Sequence, residues 1–447
     1  MGPWGQYSWI VGLGGVAAFG VGLGTGSNNW GNNFGASVGS RALTYRQALF
    51  LGLLCEFCGA FFLGPKSGPS IRSSIADWQQ YTAIPEALMY GLLCQLAVST
   101  CWMLLCNRFT LPVSATHTTV GGLIGMALVM SSGSVNWAAA SNTFPFVGGL
   151  ASVLLSMVVS PVLSAMLGAV IFMLLRSNVL RSANAFHKAI WILPTCVCIT
   201  VIANLLFLAY KLGILSNCPS LQDQWFADLM DAEAESAGLL HKGARRTWRT
   251  VLAMLDYDMH AKIEQEPDVA RIHNNTEDFD ASAEECFKGL QILTSCCLAV
   301  AHGANDVPNA ISQLATIYAI FQTHAVSQSS PTNTWILAIG AAGMALGGLV
   351  YAYNNMTTLG VRIARISPAR GFAIELAAVI VSVLATKLQL PISTTHVTVS
   401  ATLGVGALEG AKNMNKPLMR KIVGGWVGTI IAPALATAAL VAQGEPP

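Results

Sequence analysis

Two short polar motifs stand inside apolar sequence in this chain of 447 residues. GSNNWGNN covers residues 26–33 and GANDVPNA covers residues 303–310. Both motifs have a glycine, an asparagine two residues later and an asparagine six residues later. Amide and carboxylate oxygens are the ligands that hard cations prefer, so Asn28, Asn305 and Asp306 are candidates for holding a sodium ion. The same groups can hydrogen-bond an oxyanion.

A second pair of motifs follows the first pair in the same order and at nearly equal separation. LPVSATHTTV begins at Leu111, and LPISTTHVTV begins at Leu390. In each motif a proline precedes hydroxyl residues at the expected start of a helix, where unpaired N–H groups and the helix dipole favour an anion. Two such helix starts are predicted to clamp a tetrahedral oxyanion. The predicted binding residues are Asn28, Asn305, Asp306, Ser114, Thr116, Ser393, Thr394 and Thr395.

The composition is that of a membrane protein. Hydrophobic residues make up 53% of the chain and charged residues only 10%, whereas soluble domains are about 25% charged. The net charge of +2 favours no nucleic-acid partner. The cysteines stand mostly in apolar sequence without metal-ligand spacing, which indicates packing residues. An enzyme is not expected, because the chain has no P-loop, no nucleotide fingerprint and no nucleophile paired with a base.

A central polar segment divides the chain into two hydrophobic halves. Most of the 22 acidic residues lie in this segment. The predicted organisation is a first transmembrane half at 1–211, a polar and cytoplasmic loop at 212–288, and a second transmembrane half at 289–447. An acidic residue at membrane depth costs about 2.5–3.5 kcal/mol, so those embedded in the apolar halves are functional candidates. They are Glu56, Asp306 and Glu375.

The apolar segments predict an all-α polytopic membrane protein. A membrane helix needs about 20 residues, and the apolar runs give about 10–12 membrane segments. The connections at 354–370 and 409–421 are basic, which favours the cytoplasmic side, whereas their counterparts in the first half are not. The two repeats are therefore predicted to be inverted, with an ion site between them as in secondary transporters. The motifs at 26–33 and 303–310 are expected to be unwound backbone that lines this site.

GANDVPNA, PISTTH and PVSATH resemble the signatures of the inorganic phosphate transporter family, whose members are cation–phosphate symporters. The likeness covers both hydrophobic halves and leaves out the central loop. It implies re-entrant helical hairpins and a homodimer in the lipid bilayer. It also implies that phosphate moves by alternating access with sodium or protons as the coupling ion, and that no other cofactor is needed. Together with the buried acids, it also implies a set of coupling-ion residues. They are Asp306, Asn29, Asn32, Asn309, Glu56 and Glu375.

The first half departs from the family pattern at two positions. Asn29 stands where the family has aspartate, and Ala115 replaces a threonine. Because Asn29 removes one carboxylate from the site, fewer coupling ions per phosphate are expected. Several alternatives stay open. Asn32, Asn33, Glu56 and Glu375 could instead serve helix–helix hydrogen bonding. His117 and His396 could be structural or carry protons. The chain could also be a permease for sulfate or another oxyanion, or a non-transporting phosphate sensor. A multi-pass protein of the plasma membrane is expected.

Overall fold

The computed structural model describes residues 3–64, 75–140, 146–212, 260, 266–327, 332–388, 390–410 and 412–444. This part of the chain is almost entirely helical. Its α-helices are α1 Ser8–Gly39, α2 Tyr45–Cys58, α3 Pro85–Arg108, α4 Ala115–Met130, α5 Gly149–Leu175, α6 Ala185–Leu212, α7 Pro267–Asn275, α8 Ala281–Thr323, α9 Thr334–Thr357, α10 Pro368–Lys387, α11 Thr394–Leu408 and α12 Lys416–Gly444. One small antiparallel ribbon pairs β1 (Ala139–Ala140) with β2 (Val147–Gly148).

Eight helical segments of the described part are long and apolar enough to cross a membrane: α1, α2 together with the π-helix Gly59–Leu63 that continues it, α3, α5, α6, α9, α10 and α12. Helices α4 and α11 have only 16 and 15 residues, which is short of the roughly 20 residues that a span requires. Each follows a longer helix, so α3–α4 and α10–α11 form two similar helical hairpins. The prediction of an all-α polytopic membrane protein is confirmed, with eight candidate spans in the described part where about 10–12 membrane segments were predicted.

The two polar motifs lie within continuous helices. GSNNWGNN is part of α1, which has 32 residues, and GANDVPNA is part of α8, which has 43. The prediction of unwound backbone at 26–33 and 303–310 is therefore wrong. Gly303 lies within α8 without breaking it. The absence of a side chain at Gly303 allows α2 to pack closely against α8. Pro308 also lies inside the helix. The polar groups that face the interior are thus supplied by side chains.

The predicted central loop, 212–288, is described only in part. Residues 213–259 and 261–265 lie outside the described residues. The remainder holds the short helix α7 and the start of α8 at Ala281. The first turns of this long helix thus belong to the segment that its polarity assigned to the loop. The boundary at 289 lies inside a helix.

Glycine lets α1 pack directly against α9. A Cβ on Gly26 would lie 1.8 Å from the carbonyl oxygen of Met344, and one on Gly39 would lie 2.0 Å from that of Gly360. Helices α2 and α8 have the same arrangement, since a Cβ on Gly303 would lie 2.4 Å from the carbonyl oxygen of Glu56. Small residues allow this close approach of membrane helices. This close packing fixes the positions of α1 and α8, which carry the two polar motifs. It also holds Glu56 of α2 next to α8.

Gly26→Ala is expected to destabilise the protein by about 3 kcal/mol or more, because the added methyl group forces α1 away from α9 and overpacking of this kind is costly. Gly12→Ala is the matched control on the same helix, since nothing lies within 4 Å of a Cβ at that position. Thermal unfolding in detergent measures both variants. Equal melting temperatures for the two would contradict the packing argument.

Candidate functional site

The two hairpins point the N-termini of α4 and α11 at each other inside the protein. Ser114 caps α4 and Ser393 caps α11, and each hydroxyl oxygen accepts a hydrogen bond from a histidine backbone N–H at 3.2 Å. These histidines are His117 and His396, and their ring centroids lie 4.2 Å apart. The first N–H groups of a helix have no intrahelical acceptor. Two sets of such donors therefore meet at one place.

Reciprocal hydrogen bonds hold the two hairpin ends together. The Thr116 hydroxyl donates to the carbonyl oxygen of Ile392 at 3.2 Å, and the Thr395 hydroxyl donates to that of Val113, also at 3.2 Å. Thr116 and Thr395 occupy corresponding positions of the two repeated motifs. The repeat in the sequence is therefore matched by a repeat in the contacts.

The motif asparagines cross from each half to the hairpin of the other half. Asn32 of α1 donates from Nδ2 to the Thr395 hydroxyl at 3.0 Å. Asn309 of α8 donates from Nδ2 to the Thr116 hydroxyl at 3.2 Å. These contacts connect α1 and α8 to both hairpins, so the site is built equally from the two halves.

Two carboxylates lie side by side next to this contact. Asp306 Oδ2 accepts a hydrogen bond from the Thr394 hydroxyl at 2.8 Å. The Glu56 carboxylate accepts from Asn29 Nδ2 at 2.8 Å and from Asn33 Nδ2 at 3.4 Å. Asn29 also interacts with Asp306, and the two carboxylates interact with each other. Glu56 is 0% exposed and Asp306 2% exposed. We call these residues, with Asn28, Asn32, Asn309, Thr116 and Thr395, the central cluster.

The charge of the central cluster is not balanced by the described residues around it. Lys211 in the last turn of α6 is buried and interacts electrostatically with Asp306. One ammonium and two carboxylates leave one negative charge when both acids are ionised. A buried charge is unfavourable unless it is paired. The cluster is therefore suited to a bound cation.

Several amide atoms of the central cluster are ready for a ligand. Within the described residues, neither Oδ1 nor Nδ2 of Asn28 has a hydrogen-bond partner. The Oδ1 atoms of Asn32, Asn33 and Asn309 also have none there, and all four residues are buried. Buried polar groups are normally hydrogen-bonded. Amide oxygens suit a hard cation, and the N–H groups of Asn28 and of the helix starts suit an oxyanion.

The structure brings most of the predicted residues together, with two exceptions. Asn305 is half-buried in α8 next to Asp306 in sequence, and it is not one of the residues whose hydrogen bonds form the central cluster. Glu375 lies elsewhere: it is fully buried and accepts hydrogen bonds from Ser37, Thr294 and Gln291 at 3.1, 2.7 and 3.5 Å. Ser37 follows Asn29 by eight residues in α1, which is about 12 Å along a helix. Glu375 therefore belongs to a separate polar cluster.

Sequence reasoning missed two residues near Asp306. Lys211 is the first, and its only signal is a lysine at the end of an apolar segment. His302 is the second: it lies one turn before Asp306, is fully buried, and neither of its ring nitrogens has a hydrogen-bond partner among the described residues. Its signal is its position directly before GANDVPNA. A histidine directly before the motif indicates a polar environment, but it does not indicate a particular role.

These helices define a multi-pass membrane protein, and the facing helix starts and buried polar residues form a polar cluster in its interior. Residues 25–437 match the model of the phosphate transporter family, and the chain belongs to that family. The predicted family, the non-enzymatic class and the multi-pass membrane localisation are confirmed. The match covers both hydrophobic halves, as the motifs indicated.

Individual relatives agree with this assignment. The chain is 31% identical over 442 residues to a protein of Thermococcus kodakarensis assigned as a phosphate permease, covering 98% of this chain and 97% of the relative. It is 25% identical to the phosphate-repressible phosphate permease of Neurospora crassa, covering 95% of each chain. A solved structure, the sodium-dependent phosphate transporter, is 28% identical with a TM-score of 0.74, covering 97% of this chain and 98% of the other.

Proposed function

We propose that this protein carries inorganic phosphate across a membrane together with sodium, by alternating access of one site to the two sides. The observation that carries the proposal is the position of two facing helix starts directly beside two buried carboxylates. Anion donors and cation ligands thus lie in one cluster. The name of the sodium-dependent structural relative supports sodium as the coupling ion.

Phosphate would be held by the helix starts. The unpaired N–H groups at the beginning of α4 and α11 would donate to its oxygens. The hydroxyls of Thr116, Thr394 and Thr395 would become further donors by exchanging their present bonds to Ile392, Asp306 and Val113 for bonds to phosphate. Asp306 would accept a hydrogen bond from the protonated oxygen of phosphate. Sulfate has no proton at neutral pH, so the same carboxylate would repel it. This arrangement favours phosphate over sulfate.

The cation would be held by Glu56, Asp306 and the amide oxygens around them. Sodium neutralises the remaining negative charge of the central cluster and thereby lowers the cost of a neighbouring anion. Because the bonds of Thr116 and Thr395 join the two hairpin ends, opening of the site to either side requires that these bonds break. We propose that alternating access results from breaking these bonds on one side of the site at a time. We also propose that the protein works as a homodimer.

Uptake of labelled phosphate into proteoliposomes tests the proposal. A sodium gradient is expected to drive accumulation, and a tenfold excess of sulfate is expected to leave it unchanged. Accumulation with a proton gradient alone would replace sodium by protons. Competition by sulfate would contradict the role of Asp306 and favour a broader oxyanion permease. Phosphate binding without accumulation under either gradient would favour the sensor.

Asn29→Asp is expected to raise the Hill coefficient of uptake for sodium. Asn29 is the counterpart of Asp306 in the repeated motif, and a carboxylate there would add a negative charge next to Glu56 and Asp306. Another cation is then needed for balance. The sodium dependence of initial uptake rates measures the coefficient. Asn29→Gln, which adds no charge, is the control, and an unchanged coefficient for Asn29→Asp would contradict the charge-balance argument.

A further inference from the structure

A short segment before α8 lies across one end of the membrane helices. We call residues 266–280 the strap; they include α7. Glu266 accepts two hydrogen bonds from Arg362 at 2.8 and 3.3 Å, after α9. The His273 ring bonds to the carbonyl oxygen of Val361 at 3.1 Å, and Asn413, after α11, donates to the carbonyl oxygen of Asn275 at 3.1 Å. The strap thus bridges the α9–α10 and α11–α12 connections.

Glu277 makes the most extensive contacts of the strap. Its carboxylate accepts hydrogen bonds from Arg176 at 2.5 and 2.9 Å and from Arg181 at 2.8 and 2.9 Å, both in the α5–α6 connection. Its backbone N–H donates to Glu409 at 3.1 Å, and its carbonyl oxygen accepts from Arg370 at 2.7 Å. Hydrogen bonds from Arg181 and Arg176 hold the pKa of the Glu277 carboxyl below its usual value. This residue therefore links a third connection to the strap as a carboxylate.

The Glu277 backbone contacts the base of the α10–α11 hairpin. Arg370 in the first turn of α10 and Glu409 directly after α11 form an ion pair at 2.8 Å, with side chains only 3% and 5% exposed. The Arg370 guanidinium also lies 5.4 Å from the ring centroid of Phe172 and 4.9 Å from that of Phe279, a strap residue. The strap therefore completes the surroundings of a buried charge pair that closes the hairpin.

The first hairpin has no such pair. When the two hairpins are aligned on their SATH and STTH motifs, Arg370 corresponds to Gly91 and Glu409 to Met130. Gly91 and Met130 pack together, since a Cβ on Gly91 would lie 2.7 Å from the Met130 sulfur. One hairpin is thus closed by apolar packing, and its counterpart is closed by charges that the strap holds. The internal repeat makes this difference visible.

We propose that the strap is a latch on the α10–α11 hairpin, and that the central cluster opens toward this end of the protein only when Glu277 releases its partners. The inference rests on the proposed transport function, because the far end of this hairpin carries Ser393, Thr394 and Thr395. The arginine-rich connections at this end favour the cytoplasmic side. Glu277 is therefore a positioning residue that sets the rate of opening without contacting phosphate.

Glu277→Gln tests the latch. The variant removes the charge that holds Arg176 and Arg181, and it is expected to raise the maximal uptake rate at least threefold while the phosphate Kd changes less than twofold. Glu285→Gln is the matched control, because Glu285 pairs only with Lys288 on the exposed side of α8 among the residues described. A merely structural role would lower the rate together with stability. An unchanged or lower rate in Glu277→Gln overturns the proposal.

Hydrogen–deuterium exchange of α10 and α11 separates this outcome from failure of the proposed function. Exchange needs no transport, and the latch predicts at least fivefold faster exchange in Glu277→Gln than in the wild type and in Glu285→Gln. If the wild type shows no uptake, the proposed function fails. The exchange rates then test the latch by itself: unchanged exchange overturns it, and faster exchange supports it.

A second variant covers the case in which Glu277→Gln does not fold. The double variant Asn275→Cys and Asn413→Cys, cross-linked by a short thiol-reactive reagent, joins the strap covalently to the α11–α12 connection. The latch predicts at least a tenfold loss of uptake with phosphate binding retained, and recovery when a cleavable linker is cut. The two single cysteine variants, treated alike, control for reaction of the native thiols. Uptake at the wild-type rate after cross-linking overturns the proposal.

Discussion

Asp306→Asn is expected to reduce phosphate uptake at least 100-fold while the protein keeps its fold. Asparagine has the same size as aspartate, and its Oδ1 can still accept the hydrogen bond from Thr394. What is lost is the negative charge beside Glu56 and Lys211. Lys211 then balances Glu56 alone, and the bound cation loses the charge that it would neutralise. Leaving a buried charge without its partner costs about 3–5 kcal/mol, and each 1.4 kcal/mol is a factor of about ten, so a loss of uptake by two orders of magnitude or more follows.

Initial uptake rates and thermal unfolding, measured on the same preparation, separate the charge effect from misfolding. Asp77→Asn is the matched control, because Asp77 caps the turn at Trp78–Tyr81 through its hydrogen bond to the Gln79 N–H and asparagine caps helices equally well. The control should transport like the wild type. Uptake by Asp306→Asn within threefold of the wild type would remove Asp306 from the proposed mechanism.

The repeated motifs allow much of the site to be predicted from sequence. Ser114 and Ser393 follow a proline and precede apolar helices, and this local pattern is sufficient to place helix N-caps. Because both motifs recur in the same order, a meeting of the two helix starts also follows from symmetry. The prediction of unwound motifs failed because a polar run inside apolar sequence does not distinguish an unwound segment from a helix with one polar face.

Long-range positions could not be predicted. Glu56 and Glu375 have equally apolar neighbours in sequence, so hydropathy cannot tell which of them reaches the asparagines of α1. The structure places Glu56 there because Gly303 and Gly59 bring α2 into backbone contact with α8. The position of Lys211 depends likewise on how α6 packs against α8. Such contacts come from the packing of whole helices, and no local pattern records them.

Glu56→Gln is expected to abolish the effect of sodium, whereas Glu375→Gln is expected to lower stability and leave the effect of sodium in place. Glu56 hydrogen-bonds Asn29 and Asn33 and interacts with Asp306, so its charge contributes directly to the cation site. Its neutralisation should abolish the stimulation of phosphate binding by sodium and reduce uptake at least 50-fold. The magnitude corresponds to a loss of about 2.3 kcal/mol. This is less than the roughly 3–5 kcal/mol for removing one charged partner of a buried cluster, because Asp306 keeps its charge.

Glu375→Gln should leave sodium-stimulated phosphate binding within threefold of the wild type. Glu375 is surrounded by hydrogen-bond donors, and a glutamine there turns one acceptor oxygen into a donor NH₂ group that faces Ser37 or Thr294. An unsatisfied buried donor costs about 1–3 kcal/mol, so the melting temperature should fall.

Phosphate binding titrated with and without sodium, together with thermal unfolding, distinguishes the two carboxylates, and each variant is the control for the other. If both lose sodium stimulation equally, Glu375 takes part in cation coupling despite its distance from Asn29. The cation must then pass between the two polar clusters along α1 and α8.

If only Glu56→Gln loses sodium stimulation, the coupling site is confined to the central cluster, where one carboxylate from each half shares the cation. In that case Glu375 and its hydroxyl neighbours fix the packing of α10 against α1 and α8, which is the same hairpin that the strap closes at its base.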